Sequence, residues 1–252
     1  MKRRSIQLGR EIRVAWAIAA KDMRTYYTQP PSIMFGILFP FTLFLAFAIG
    51  RNLPIAQQIP ILISQTLFFA SSSIGPVVIP LERADQTFER FLTSPVSLLS
   101  VLMGKTLGGI IYGALISVIP VLVGIIVFGS QITNIAALIA CFALSSLAFS
   151  ALGILFASIP GQTVGQVMMP LNFVRIPLLF ISGVFTPIGQ LPTWMQAVSF
   201  LSPLTHTVGL ASYASGGETF FGPILNLIVL GVYAAVFVFV SIRFNIINMR
   251  KQ

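Results

Sequence analysis

The sequence predicts an all-α integral membrane protein with six transmembrane helices, and three observations support this prediction. First, 56% of the 252 residues are hydrophobic and only 8% are charged, whereas a soluble domain carries about 25% charged residues. Second, six apolar stretches are long enough to cross a hydrocarbon layer of about 30 Å as helices, the form in which a backbone satisfies its own hydrogen bonds. Third, the basic residues concentrate on one side of these stretches.

The six stretches define the domain organisation. Residues 1–32 form a cytoplasmic or interfacial N-terminal segment, residues 33–242 form the membrane domain, and residues 243–252 form a tail. Within the membrane domain the predicted spans are 33–50, 59–81, 106–128, 135–157, 167–185 and 223–242.

The distribution of Lys and Arg predicts the orientation. If both termini are cytoplasmic, thirteen of the fifteen basic residues fall in inner segments, the outer connections hold only Arg51, and Arg175 lies within a span. Positive residues are retained on the cytoplasmic side. We therefore predict a multi-pass protein of the plasma (inner) membrane with both termini in the cytoplasm. The net charge of +9 then reflects topology, and no nucleic-acid partner is expected.

Two segments outside the spans carry apolar patterns. Residues 12–27 repeat apolar and aromatic side chains at helical spacing, with basic residues on the other side. This pattern predicts an amphipathic helix at the membrane interface, next to lipid; an ordinary cytoplasmic amphipathic helix is the alternative. The connection 186–222 is apolar but broken, and it lacks Lys and Arg. It is predicted as an outer re-entrant helical hairpin between spans five and six, with Trp194 at the outer interface.

Single residues offer no catalytic or metal site. Cys141 is the only cysteine, so it forms no internal disulfide. His206 is the only histidine and has no carboxylate cluster beside it, which favours a structural role. Gly104-Lys105-Thr106 resembles the end of a phosphate-binding loop, but Leu99 stands where the first glycine is needed. We predict no enzymatic activity, cofactor or metal for this chain.

Arg175 is a candidate site residue because it lies near the middle of the fifth span. An arginine there costs about 2.5–3.5 kcal/mol unless it faces protein or water. Asn172 shares its helical face at three residues' separation. Two interpretations stay open. The pair contacts an anionic or polar substrate, or the guanidinium pairs with carbonyls near Pro170 or Pro177, whose rings disrupt helix hydrogen bonding.

The connection between the second and third spans holds six of the chain's charged residues. It is either a solvated loop or a short charged helix that transmits force from a soluble partner into the bilayer. Its pattern resembles the cytoplasmic loop of type-2 ABC transporter permeases, with Gln86 where that family usually has Gly. The matching residues are Glu82, Arg83, Thr87, Phe88, Glu89, Arg90, Phe91, Thr93, Ser94, Pro95, Gly104 and Lys105.

A second match lies around the fifth span. Residues 181–187, Leu191-Pro192, Trp194-Met195 and residues 201–205 are similar to the family's Ser-Gly-x-Phe-x-Pro ending and outer hairpin. The drug- and lipid-exporter subgroup is the most similar. The resemblance implies that residues 82–95 form a coupling helix. It also implies that two permease chains, as a homodimer or heterodimer, dock two copies of an ABC ATPase subunit that binds ATP and Mg.

The sequence thus favours the permease subunit of an ATP-driven exporter. The alternative is an ATP-independent channel or secondary carrier with Arg175 as its central site. A secondary carrier usually needs acidic residues within the membrane for ion coupling. The six spans contain no clear Asp or Glu, which argues against the alternative.

Overall fold

The protein is described by a computed structural model that covers residues 2–48, 55–87, 96–159, 161 and 163–249. Within these ranges the chain forms ten α-helices, a π-helical turn and a short 3-10 helix, and it contains no strand. The predicted all-α class is therefore confirmed. The elements are α1 Lys2–Tyr26, α2 Pro30–Ile33, the π turn Met34–Leu38, α3 Phe39–Ala48, α4 Ile55–Ala84, α5 Leu98–Phe128, α6 Ile135–Ala157, α7 Val164–Ile181, the 3-10 helix Ile188–Gln190, α8 Thr193–Phe200, α9 Pro203–Ala214 and α10 Pro223–Met249.

Five of the described helices, α4, α5, α6, α7 and α10, are long and apolar enough to cross a membrane. A sixth span is counted if the bent pair Gly9–Tyr26 and Pro30–Ala46 is taken as one. The two parts of this pair meet at 93°. Such a bend suits a helix that lies along the membrane surface and is followed by a span, because the two directions are perpendicular.

Helix α1 combines a buried face with an exposed one. Ala15, Ile18 and Ala19 are buried, and the helix packs mainly against α5. Ile12 and Trp16, on another face, are 55% and 54% exposed. Apolar side chains left exposed beside spans are typical of an interfacial helix. The elbow that follows α1 is held by Tyr112, whose hydroxyl donates to the Ser32 carbonyl over 2.9 Å.

Helix α4 is the central element of the bundle. In its apolar window 94% of the residues are buried, against 22–50% in the other four long helices. It packs against α3, α5, α6, α7 and α9. It can therefore carry polar side chains inside the bilayer, since protein rather than lipid surrounds them. Among these buried residues are Ser64, Gln65, Thr66, Ser71, Ser72 and Ser73.

Glycines allow close approach to α4 and α1. A Cβ added at Gly153 of α6 would overlap the backbone carbonyl of Ser72, and one added at Gly113 of α5 would lie 3.0 Å from the Ser71 Cα. One added at Gly104 would lie 2.8 Å from the Ala15 carbonyl oxygen in α1. Small residues at these crossings let backbones pack directly, as is typical of membrane helices.

Caps set helix ends that hydropathy does not predict. α5 begins at Leu98, eight residues before the predicted span, because the Ser97 side chain accepts a hydrogen bond from the Ser100 amide over 3.1 Å. α7 ends at Ile181 rather than near residue 185. The cause is Gly183, whose φ of +79° places it in the left-handed region that ends a helix.

The connection between α7 and α10 contains the short helices α8 and α9. α9 is deeply buried, with Leu204, Leu210 and Ala211 fully covered, and it packs against α4, α6 and α10. Its 12 residues extend only about 18 Å, which is too short to cross a bilayer. In α8, Trp194 is 67% exposed. How far these helices enter the membrane stays a prediction.

Candidate functional site

The predicted coupling segment is described only at its start. Glu82 and Arg83 lie in the last turn of α4, and Thr87 follows a short turn. The Thr87 hydroxyl donates to the Glu82 carbonyl over 3.2 Å. The remaining predicted residues, Phe88, Glu89, Arg90, Phe91, Thr93, Ser94 and Pro95, lie outside the described residues.

Glu82 belongs to a buried cluster of four charged side chains, which we call the ion cluster: Lys21, Asp22, Glu82 and Lys105. The Lys105 ammonium donates to both Asp22 carboxylate oxygens over 2.9 and 3.0 Å, and to Glu82 Oε1 over 2.6 Å. Lys21 also contacts Glu82, and it lies 3.0 Å from Asp22. Asp22, Glu82 and Lys105 are fully buried, whereas the Lys21 side chain is 38% exposed.

The charges of the ion cluster balance, with two cations and two anions. Removing ions from water is costly, and the cost is offset only when partners are close and hydrogen-bonded. Burial by itself lowers the pKa of Lys21. The hydrogen bond to Glu82 and the negative charges of Asp22 and Glu82 outweigh burial and raise this pKa above its usual value. Lys21 therefore stays protonated in the folded protein.

The ion cluster joins three elements that are far apart in sequence. Asp22 belongs to α1, Glu82 to the end of α4 and Lys105 to the first turns of α5. Glu82 is the first residue of the predicted coupling segment, and Lys105 lies ten residues after its end. From the same end of α4, Arg83 Nη1 donates to the Ile159 carbonyl over 3.0 Å, so the α6–α7 connection is attached as well. The end of α4 and the start of α5 are therefore in direct contact with α1, and the end of α4 also with this connection.

The turn that leaves α4 contains a strained residue. Gln86 has a φ of +56°, and among the described residues it is the only non-glycine with positive φ. Its amide donates to the Arg83 carbonyl over 3.1 Å. This is the left-handed position that ends many helices and that glycine occupies most easily. The family's usual Gly at this position therefore has a conformational explanation.

Arg175 is fully buried and faces α4. Its Nη2 donates to Ser72 Oγ over 2.6 Å and to Ser73 Oγ over 3.2 Å. Its Nη1 lies 3.4 Å from Asn172 Oδ1. The guanidinium carbon lies 5.3 Å from the centroid of the Phe69 ring, a cation–π distance. Among the described residues, the Nε atom has no hydrogen-bond partner and no carboxylate pairs with the guanidinium.

The Arg175 site therefore combines an expected contact with an unexpected one. The neighbourhood of Asn172 and Arg175 is as predicted, but the main acceptors are the hydroxyls of Ser72 and Ser73 on α4 rather than carbonyls near the prolines of α7. The serine triplet inside a span was the available sequence signal. Asn172 also lines an apolar cavity of about 540 Å³ that includes Phe35, Met168 and Phe173.

His206 has the surroundings of a structural residue. Its Nε2 lies 2.9 Å from the Phe200 carbonyl oxygen, and its Nδ1 lies 2.7 Å from Asn226 Oδ1. The imidazole is fully buried. It thereby connects α8, α9 and α10. The ion cluster and the Arg175 site, at two levels of the bundle, are the candidate functional sites.

Helices long and apolar enough to cross a membrane, with paired charges at one end of the bundle and a buried arginine inside it, define the general class of polytopic membrane proteins. Comparison with family models identifies the family. Residues 13–216 match the model of the ABC-2 type transporter. Because this match covers most of the chain, the protein belongs to the ABC-2 type transporter family, and the predicted type-2 ABC permease is confirmed.

Individual relatives are more distant. The chain is 22% identical over 152 residues to the probable multidrug ABC transporter permease YbhR of Escherichia coli K12. It is 23% identical over 123 residues to the inner membrane transport permease YadH of the same organism. It is 32% identical over 107 residues to the daunorubicin resistance ABC transporter permease protein DrrB1 of Streptomyces coeruleorubidus.

These matches are partial on both sides. They cover 59%, 49% and 42% of this chain, and 40%, 48% and 31% of the three relatives. The chain thus spans half or less of the length of the curated relatives that it matches. The comparisons support a membrane permease role for the family domain.

Proposed function

We propose that the protein is the transmembrane subunit of an ATP-driven ABC exporter, coupled through residues 82–95 to a separate ATPase subunit. The observation that carries this proposal is the ion cluster. Lys105 joins α5 to Glu82, the first residue of the predicted coupling segment, and Asp22 joins Lys105 to α1. Because separating one partner of a buried ion pair costs about 3–5 kcal/mol, we expect these elements to move together.

The proposed assembly contains two permease chains and two ATPase subunits. Both termini and the ion cluster face the cytoplasm, as the positive-inside distribution indicates. ATP and Mg bind to the ATPase subunits. The export direction follows the family resemblance and the printed names of relatives, which include a multidrug and a daunorubicin resistance permease.

The proposed pathway runs beside α7. Met169, Phe173 and Phe180 leave an apolar face of this helix exposed, and the apolar cavity next to Asn172 opens on it. We place the second permease chain opposite this face. Asn172 would then supply a polar contact along an otherwise apolar route, and the buried Arg175 would position it, since Arg175 Nη1 lies 3.4 Å from Asn172 Oδ1.

The mechanism is a biased conformational equilibrium. ATP binding closes the ATPase pair and displaces the coupling segments, and the ion cluster moves α1, α4 and α5 together. The state that opens outward is favoured by the contact energy that closed ATPase subunits gain with it. The chain itself holds and moves helices, and the chemistry of ATP hydrolysis belongs to its partner.

Co-purification tests the assembly. A tagged chain expressed with the ATPase encoded beside it should retain that subunit in detergent, and reconstituted vesicles should accumulate a transported dye only with ATP. Vesicles with the permease alone provide the control. Uphill accumulation of the dye without the ATPase would overturn the proposal in favour of a secondary carrier. Downhill movement of the dye at a rate independent of ATP would overturn it in favour of a channel.

A further inference from the structure

A second cavity, of about 360 Å³, lies at the end of the bundle opposite the ion cluster. It is bounded by Gln58 at the start of α4, by Thr205 of α9, by Asn226 of α10 and by the loop of residues 218–221. From its lining we infer that this cavity is a binding site for an ammonium group, either of a small organic amine or of a lipid headgroup. This inference does not depend on the proposed transport function.

Two aromatic rings form a corner of the cavity. The rings of Phe220 and Phe221 both line it. Their centroids lie 4.9 Å apart and their planes meet at 86°. Phe221 is held in place by Phe200, at 5.3 Å between centroids, and by His206, at 5.6 Å. Perpendicular aromatic walls favour alkylammonium groups, because the electron-rich faces attract the cation while the rings contact its methyl or methylene groups.

Among the described residues that line the cavity, the one charged side chain is acidic. Glu218 is exposed and stands directly before Thr219 and the two phenylalanines. No Lys or Arg is among the described residues that line the cavity. A carboxylate beside aromatic faces favours a cation over an anion or a neutral molecule of the same shape. Charge therefore selects the same ligand class as the aromatic corner.

A buried hydroxyl inside the cavity lacks a partner. Thr205 is 2% exposed, and its Oγ1 makes no hydrogen bond with the described residues. Burying an unpaired hydroxyl costs about 1–3 kcal/mol, and a polar ligand would remove that cost. Nearby, the Asn226 amide donates to Thr219 Oγ1 over 2.8 Å, so the polar wall is fixed in position.

Glycines keep the cavity open. Gly183, Gly189 and Gly209 all line it. A Cβ at Gly209 would overlap the Asn226 amide nitrogen and would lie 2.8 Å from Thr219 Oγ1. Side chains at these positions would fill the space or displace its polar wall. The cavity thus has volume, cation-attracting faces, a carboxylate and an unsatisfied polar group together.

Calorimetric titration of the purified chain in a nonionic detergent tests the inference. The probes are choline and 3,3-dimethyl-1-butanol, its neutral isostere, in which a carbon atom replaces the ammonium nitrogen. We expect saturable binding of choline, and binding of the isostere that is weaker by about tenfold. Glu218→Gln should reduce this preference, leaving the part that the aromatic faces provide, and Phe220→Leu should weaken choline binding. Glu11→Gln, which removes a carboxylate from α1 at the other end, should bind choline like the parent.

Nanodiscs separate the two sources of the ammonium group. If a headgroup occupies the site, choline should bind more weakly in discs that contain phosphatidylethanolamine than in discs of phosphatidylglycerol alone. If the site takes free amines, the two affinities should agree. Equal binding of choline and its isostere, an unchanged preference in Glu218→Gln, or no saturable choline binding to the parent would each overturn the inference.

Discussion

Lys105 and Lys21 bind the same two carboxylates, yet their surroundings differ. Lys105 is fully buried, whereas the Lys21 side chain remains 38% exposed. The energetic weight of a charged contact depends on the water it excludes: exposed pairs contribute about 0–1 kcal/mol, while removing one partner of a buried pair costs about 3–5 kcal/mol. Lys105 should therefore dominate the stability of the ion cluster.

Lys105→Met should destabilise the protein by about 3 kcal/mol or more, because it leaves Asp22 and Glu82 buried with half of their positive charge. The measurement is thermal unfolding in detergent. Lys21→Met is the matched control and should cost about 1 kcal/mol or less. The double variant Glu82→Gln/Lys105→Met should recover part of the loss. A Lys105→Met variant as stable as the control would contradict this account of the ion cluster.

Arg175→Leu should change transport more than folding. The substitution removes a charge that no described carboxylate balances, so the lost hydrogen bonds to Ser72 and Ser73 are compensated by a lower cost of burial. The checks are dye transport in vesicles and the melting temperature. Ser73→Ala, which leaves the guanidinium in place, is the control. Unchanged transport by Arg175→Leu would remove this residue from the proposed pathway.

Residue pairs close in sequence were predictable, whereas distant pairs were not. Helical periodicity places Asn172 on the same face as Arg175. The contact of Arg175 with Ser72 spans 103 residues, and that of Lys105 with Asp22 spans 83. Hydropathy gives the location of each span but not the rotation of one helix against another. The partners of a buried charge depend on that rotation.

At the level of elements, α4 is stabilised by close backbone packing. Gly153→Ala should destabilise the protein by about 1–3 kcal/mol, because the new methyl group overlaps the Ser72 carbonyl and forces α6 away from α4. Thermal unfolding measures the effect. Gly231→Ala in α10, where an added Cβ meets nothing within 4 Å, should be neutral or slightly stabilising. Equal effects of the two substitutions would show that the α4–α6 contact is looser than described.

The strained end of α4 gives a prediction of opposite sign. Gln86→Gly should raise stability by about 1 kcal/mol, since glycine adopts the φ of +56° without the steric cost that a side chain incurs. Gln86→Ala retains the Cβ and should bring no such gain, which makes it the control in the same unfolding assay. If both variants shift the melting temperature alike, the gain does not come from backbone strain.

Elements were predicted well in number and less well in extent. Apolar length identified the five long helices, because the bilayer thickness determines how many residues a span needs. Their ends depend on Ser97, which caps α5, and on Gly183, which ends α7. Such local hydrogen bonds and backbone angles leave little trace in average hydropathy.

At the scale of the whole molecule, the proposed coupling makes transport separable from assembly. Replacing Glu89 and Arg90 by Ala, or Pro95 by Ala, should uncouple ATP hydrolysis from transport while membrane insertion stays intact. The reason is that these residues lie between Glu82 and Lys105, which the ion cluster joins. The assay compares the ATPase rate with dye transport in the same vesicles. Thr133→Ala, remote from the segment, is the control.

Variants that transport dye like the parent would show that the connection between α4 and α5 is not the coupling element.

The family could be recognised from the sequence because its charged loop and the ending of the fifth span are short contiguous motifs. The ion cluster could not, because Asp22 lies outside both motifs and meets Lys105 only in three dimensions.

The near-complete enclosure of α4 has a consequence for biosynthesis. This helix emerges from the ribosome before α5, α6, α7 and α9, the neighbours that later cover its glutamines and serines. Its mean hydropathy of 1.5 lies well below the 2.7 of α5, so partition into lipid on its own is less favourable for α4 than for α5. We therefore expect α4 to stay in the insertion machinery longer than α5, until later helices arrive, so that the order of translation becomes part of how the molecule is built.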